Sequence, residues 1–101
     1  WIDDFNDAIN LLEIFETVGG NNYTNWEDEE FQKLIKESRS ELDTDKRREI
    51  LRDAEEIFMD HMPIAPVYFY TNLYAFKDNV KNITVSPIGN IQYKWGYITE
   101  E

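Results

Sequence analysis

The sequence predicts an α+β fold in which about three helices are followed by short β-strands, on three observations. Apolar residues recur at three- and four-residue spacings as far as Asp60, the period of helices with one buried face. Pro63 and Pro66 then end helical character, because proline lacks a backbone donor and clashes with the preceding turn. Beyond them, branched and aromatic residues come in short runs between turn formers, which suits a pleated, packed surface.

Trp1-Ile2 reads as the end of a strand, and Asp3-Asp4-Phe5-Asn6-Asp7 offers several side chains able to cap a helix start. A short helix follows, with Ala8, Leu11, Leu12 and Phe15 as its apolar stripe and Gly19-Gly20 as its left-handed stop. The loop from Asn21 to Asn25 is polar, with Tyr23 as the one aromatic that has to pack. A second helix starts at Glu27 or Asp28, with acidic residues in its first turn where the helix dipole favours them, and buries Phe31, Leu34 and Ile35.

A soft break from Ser38 to Leu42 separates it from a longer third helix, capped by Asp43 or Thr44 and running to about Asp60. Ile50, Ala54, Ile57 and Phe58 give its buried period, with Leu51 at the margin. Asp43 with Arg47, and Arg52 with Glu56, are opposite charges four apart. A buried strand is expected from Ile64 to Tyr70, and Leu73 to Phe76 as its return in a hairpin. Phe69 then faces structure, while Tyr68 and Tyr70 share the other side. Lys77 to Asn82 is loop, Ile83-Thr84-Val85 strand and Ser86 to Asn90 a turn. Ile91 to Ile98 is expected to be extended, with Tyr93, Trp95 and Tyr97 on one face.

At 101 residues there is room for one modest core. Ten basic against twenty-one acidic residues give a net charge of −11, which repels a phosphate backbone and an anionic membrane face, so neither nucleic acid nor a membrane is an expected partner. Cysteine is absent, which removes disulfides, thiolate nucleophiles and the common structural zinc sites. No apolar run approaches the length that crosses a bilayer. The first residues, Trp-Ile-Asp-Asp, lack both an initiator methionine and the form of an export signal, so the chain reads as a processed or excised piece of a longer protein.

Enzymatic chemistry has no positive support. Carboxylates are plentiful, and nothing selects a pair in a shared cleft with pKa values pushed apart. His61 is the only histidine, and its place at the end of the third helix is explained by the helix dipole. Asp43-Thr44-Asp45 lacks the glycine and distal glutamate of a calcium loop and reads as a helix cap. Asn22-Tyr23-Thr24 and Asn82-Ile83-Thr84 match a glycosylation sequon too short to carry weight. No cofactor is expected. The aromatics in extended segments either pack a core or line a ligand cleft.

The ordered set Trp1-Ile2-Asp3-Asp4-Phe5-Asn6-Asp7, Asn21-Asn22-Tyr23, Phe31-Gln32-Lys33-Leu34-Ile35, Asp53-Ala54-Glu55 and Pro63-Ile64-Ala65-Pro66-Val67-Tyr68-Phe69-Tyr70 resembles the C-terminal part of the oligopeptide-binding proteins of bacterial ABC importers, solute-binding protein family 5. The resemblance covers essentially the whole chain. It implies that residues 1–101 are a single fragment, the C-terminal part of a two-lobed, non-enzymatic binding protein whose lobes have the type 2 periplasmic-binding-protein fold. The implied partners are an oligopeptide, the permease subunits of the importer and the missing lobe, in the periplasm or at the outer face of a cell membrane.

By the same resemblance Asp4 pairs with the ligand's α-amino group, Trp1 and Ile2 form cleft wall, Tyr70 faces the cleft, and Tyr68 belongs to the core. The reading of Asp4 from the residues alone is a helix cap beside Asp3 and Asn6. Family members often have proline after the Asp-aromatic pair, where this chain has Asp7-Ala8-Ile9, which leaves the helix start less rigid. The alternatives are a relative that binds another solute, such as a dipeptide, nickel, heme or an oligosaccharide, and a stand-alone acidic module that meets a partner protein through its aromatic strands.

Overall fold

The computed structural model describes residues 4–100, which divide into two compact units. One, Asp7–Pro66, is helical; the other takes the residues up to Asn6 and from Val67 onward, and contains every strand. The α+β composition expected from the sequence is present, with helices first and short antiparallel strands after them.

In the helical unit α1 (Ile9–Leu12) runs into a 3-10 turn (Glu13–Phe15), followed by α2 (Glu29–Ser40) and α3 (Thr44–His61). The Asp28 carboxylate accepts from the Phe31 amide (2.8 Å) to start α2. Asp43 accepts from Asp45 and Lys46 (3.0 and 3.1 Å) to start α3. Both satisfy amides that a helix start leaves without partners. At the far end Met62 takes a left-handed conformation (φ 47°) and Pro63 follows, so α3 stops where the prolines require. Asp43 is therefore engaged as a cap, and Arg47 points elsewhere than the four-residue pair expected from the sequence. Arg52 lies 3.7 Å from Asp53, its neighbour, instead of meeting Glu56.

The core is Ile9, Phe31, Ile35, Leu51, Ala54 and Phe58, with Leu12, Phe15, Trp26, Leu34 and Ile57 packed around it. On α3 the innermost residues are Leu51, Ala54 and Phe58, while Ile50 sits at the margin, the reverse of the expected order for residues 50 and 51. Ala8 and Leu11 are exposed, because α1 lasts a single turn and only Ile9, Leu12 and Phe15 reach the other helices. The loop aromatic that packs is Trp26, edge-on to Phe31 and Phe58 at 5.1 and 5.6 Å, whereas Tyr23 is 85% exposed.

Asn22 explains why Trp26 packs and Tyr23 does not. It is 3% exposed, and its amide donates to the Thr17 and Trp26 carbonyls (both 3.1 Å). Its oxygen accepts from the Thr24 amide (3.1 Å) and hydroxyl (2.7 Å), and the Thr24 hydroxyl accepts from the Trp26 amide (3.1 Å). The loop thus closes around one buried amide, which turns Trp26 inward and leaves no free nitrogen at the Asn22 sequon.

A second polar knot holds the start of the unit. Arg47 makes a two-pronged pair with Asp7 (2.9 and 3.0 Å), and its Nε donates to the Ser38 carbonyl at the end of α2 (3.1 Å). Asp7 also accepts from the Ile9 amide (3.0 Å), and its own carbonyl accepts from the Asn10 amide (3.0 Å). The Arg47 guanidinium, helped by the Ile9 amide, holds the Asp7 carboxyl below the usual carboxylate range, although partial burial opposes it. Arg39 ties α2 to the 3-10 turn through Glu16 (2.6 Å) and, more loosely, Glu13 (3.4 Å).

In the second unit β1 (Val80–Lys81) pairs antiparallel with β4 (Tyr97–Ile98), and β2 (Thr84–Val85) with β3 (Ile91–Gln92). The registers make one long hairpin, interrupted where Asn82-Ile83 on one side face Tyr93-Lys94-Trp95-Gly96 on the other. Its tip is the expected Ser86–Asn90 turn, closed by Ser86 amide to Asn90 carbonyl and Gly89 amide to Ser86 carbonyl bonds (both 2.9 Å).

The even alternation expected from Ile91 to Ile98 is replaced by a tight turn in which the Gly96 amide donates to the Tyr93 carbonyl (2.9 Å). Asn82, left-handed at φ 59°, donates to the Trp95 carbonyl (2.9 Å), and the Ile83 side chain lies against Gly96 where any Cβ would clash. Tyr93, Trp95 and Tyr97 consequently do not share one strand face.

The expected strand from Ile64 to Tyr70 and its return from Leu73 to Phe76 are not formed. A strand exists through its ladder, and among the described residues this stretch pairs with none. Its fixed points are side chains at the hairpin tip, where the Tyr74 hydroxyl donates to the Gly89 carbonyl (3.0 Å) and Asn72 packs on Gly89.

Two outcomes follow from the polar knots. Asn22→Asp places a carboxylate against two carbonyls that have lost their donors, and is expected to destabilise the helical unit by about 3 kcal/mol or more in urea unfolding. Asp7→Asn is expected to cost about 1–2 kcal/mol near neutral pH. Because the folded Asp7 carboxyl titrates below its unfolded value of about 3.9, its contribution is complete above that value and lost as pH falls through the lower folded one. Parent and Asp7→Asn stabilities should therefore stay a constant interval apart above about pH 5 and converge in acid.

Candidate functional site

Of the residues singled out from the sequence, Trp1 and Ile2 lie outside the described residues. Asp4 is exposed and belongs to the same unit as Tyr70, although the two are far apart in the chain. Tyr70 is 76% exposed, and its ring centroid lies 6.5 Å from that of Tyr68, so the two tyrosines stand on one side as two-residue spacing requires. The expected roles of their neighbours are corrected. Phe69 is fully exposed instead of buried, and Tyr68 is as open as Tyr70 and takes no part in the core. The physical reason is the missing ladder, since without a sheet there is no buried face for alternate side chains to enter.

Val67, Tyr68, Phe69, Tyr70 and Leu73 thus form a run of exposed apolar side chains. Trp95 is also exposed, with the Lys94 ammonium 4.8 Å from its ring. A run of this kind is unusual on the surface of a self-sufficient domain and marks surface made to be covered.

Two depressions hold neither Asp4 nor Tyr70. One of about 610 Å³ is lined by Phe76, Lys77, Asp78, Asn79, Lys81 and Thr99 at the open end of the hairpin. The other, of about 450 Å³, lies between Asp7-Ala8 and α3, beside Arg47, Leu51 and Glu55. Among the described residues no group of three or more histidine, cysteine, aspartate or glutamate side chains could hold a metal ion. Asp43 is spent on its cap, and His61, in the last turn of α3, lies 3.9 Å from the Asp28 carboxylate. The pairing of Arg47 with Asp7, which spans 40 residues, is the interaction that sequence reasoning missed. Helical spacing gave Arg47 a nearer partner in Asp43, and no local pattern points back to Asp7.

No family model matches the chain. Over 98 residues it is 46% identical to the oligopeptide-binding protein OppA of Bacillus subtilis (strain 168), an alignment covering 96% of this chain and 18% of that protein. The chain belongs to the peptide-binding family of solute-binding proteins. Other members of the family include the dipeptide-binding protein DppE of the same organism, 37% identical over 95 residues, covering 94% of this chain and 18% of that protein. The periplasmic oligopeptide-binding protein OppA of Salmonella typhimurium is 30% identical over 99 residues, again 97% of this chain and 18% of that protein. The chain therefore spans about 18% of the length of these relatives, all named as binding proteins and none as an enzyme. The family resemblance read from the ordered motifs is the one found.

The exposed run gives a prediction for the 101 residues alone. Phe69→Ser with Leu73→Ser should leave helix content unchanged by circular dichroism and lower concentration-dependent self-association in sedimentation velocity, because both side chains lie outside the helical core and offer apolar surface.

Proposed function

We propose that the chain is the C-terminal part of an extracytoplasmic binding protein that captures oligopeptides and delivers them to an ABC importer. What carries this reading is the 46% identity to a protein named for oligopeptide binding, sustained across nearly the whole chain. The parent would have two lobes of the type 2 periplasmic-binding-protein fold, closing on ligand about a hinge. Such a protein is not an enzyme; it hands its peptide to permease subunits, from the periplasm or from the outer face of the membrane with any lipid anchor outside this chain. The bare run from Val67 to Leu73 supports a piece that relies on the rest of its parent, and the sustained identity to binding proteins along nearly the whole chain favours this over a stand-alone interaction module.

Within this reading Asp4 is the ammonium anchor. A carboxylate in a closed, partly dry cleft fixes the positive charge that every free peptide N-terminus has, and so binds without regard to side-chain sequence. Trp1 and Ile2 then line the peptide backbone, and Tyr70 adds an aromatic wall with a hydroxyl. The exposure of Asp4 and Tyr70 and their place in one unit are consistent with these roles.

In the full-length protein, mixed short peptides are expected to raise the thermal unfolding midpoint, and Asp4→Asn to weaken binding about tenfold or more through loss of a charge-assisted pair. Equal stabilisation of mutant and parent would sink the anchor assignment. Relatives are named for both dipeptides and oligopeptides, so a series of two to five residues, measured the same way, reads out the preferred length.

A further inference from the structure

We propose that the loop before α2 is a docking surface for the permease subunits of the importer, with Tyr23 as its anchor. This rests on the reading of the parent as a protein that delivers peptide to them, and goes beyond it by naming a surface and its chemistry. Tyr23 is 85% exposed, yet it stands between two residues that are both held. On one side, Asn22 is buried and bonded through both polar atoms of its side chain. On the other, the Thr24 hydroxyl links Asn22 to the Trp26 amide. The Asn22 amide also donates to the Gly19 carbonyl (3.0 Å), and the Val18 amide to the Glu27 carboxylate (2.8 Å), which ties both arms of the loop together. Val18 and Tyr23 are the next residues outward from the Gly19–Asn22 bridge, which brings them opposite one another. Val18 is itself 45% exposed, and Gly19 and Gly20 leave open space where side chains would stand, so a partner can approach the backbone there closely.

A tyrosine on a loop already ordered by its own hydrogen bonds offers a large amphipathic area at little further cost in entropy. Aromatic anchors of this kind carry a large share of the energy of protein interfaces. The charge around it selects the partner. Residues 8 to 32 carry acidic side chains and no lysine, arginine or histidine, and Glu27, Glu29 and Glu30, which follow the loop, are exposed. The complementary surface is an apolar slot for a phenol ring, edged by lysine or arginine.

The test uses the full-length protein loaded with trialanine and its importer, permease and ATPase together, reconstituted in nanodiscs. Tyr23→Ser should weaken binding to the importer about tenfold or more, the size expected of an interface anchor, and raise by as much the protein concentration needed to stimulate ATP hydrolysis. Trialanine binding in solution should be unchanged. Tyr23→Phe should keep most of the affinity, and Val18→Ser should lose less than Tyr23→Ser. Replacing Glu27, Glu29 and Glu30 together by glutamine should flatten the dependence of importer binding on salt. A separate check asks whether the loop is open in the whole protein. The chain has no cysteine, so Tyr23→Cys adds a thiol whose reaction with a maleimide, measured against the parent, should be as fast as that of a free thiol. Protection of that thiol would show that the rest of the parent covers the loop, and would overturn the proposal. So would equal stimulation of the importer by parent and Tyr23→Ser, with delivery of peptide left standing. If the parent neither binds peptide nor stimulates the importer, the reading of it as a peptide carrier falls, and the docking surface falls with it.

Discussion

The ring of Phe58 is the contact on which the helical unit converges. Phe15 meets it at 4.6 Å, Trp26 at 5.6 Å and Phe31 at 6.1 Å, so one side chain of α3 touches the 3-10 turn, the loop and α2 together. Tilted and edge-on arrangements satisfy the quadrupoles of the rings as well as removing their area from water. For a unit this small, with short helices that are marginal alone, such a junction supplies what helical propensity cannot. The polar knots at Asn22 and Asp7 then set the direction from which each segment arrives at it.

This hierarchy explains which features could be read from the sequence. The long helices, their caps at Asp28 and Asp43 and the stripe through Phe31, Ile35, Ala54 and Phe58 are local properties, written in spacing and in residues that compete for helix-end amides. Tyr23, expected to pack, stays outside while Trp26 packs, because both depend on four hydrogen bonds of Asn22, and an asparagine in a polar loop looks the same whether buried or wet. Arg47 was given to Asp43 for a similar reason. A pair four residues apart is visible in the sequence, and one closed across 40 residues is not.

The stretch from Ile64 to Phe76 shows a different limit. Its composition is that of a strand, and strand composition reports what a segment fits once a partner is beside it. The helices need only the 60 residues around them, whereas this stretch has to be met by backbone that the chain does not supply among its described residues. For the candidate site the same holds. Asp4 and Tyr70 were chosen by family pattern, and composition alone could not separate a cleft aromatic from a packed one.

The interrupted hairpin carries a consequence for how such a chain can change length. Two residues lie between the ladders on one side and four on the other. Removing a pair of residues from Tyr93–Gly96 would bring the two ladders into one register, while removing one would leave them a residue out of step, with the side chains of one strand on the wrong face. Insertions and deletions in relatives should therefore come here in twos, making this turn a place where length can drift while the pattern of faces is conserved.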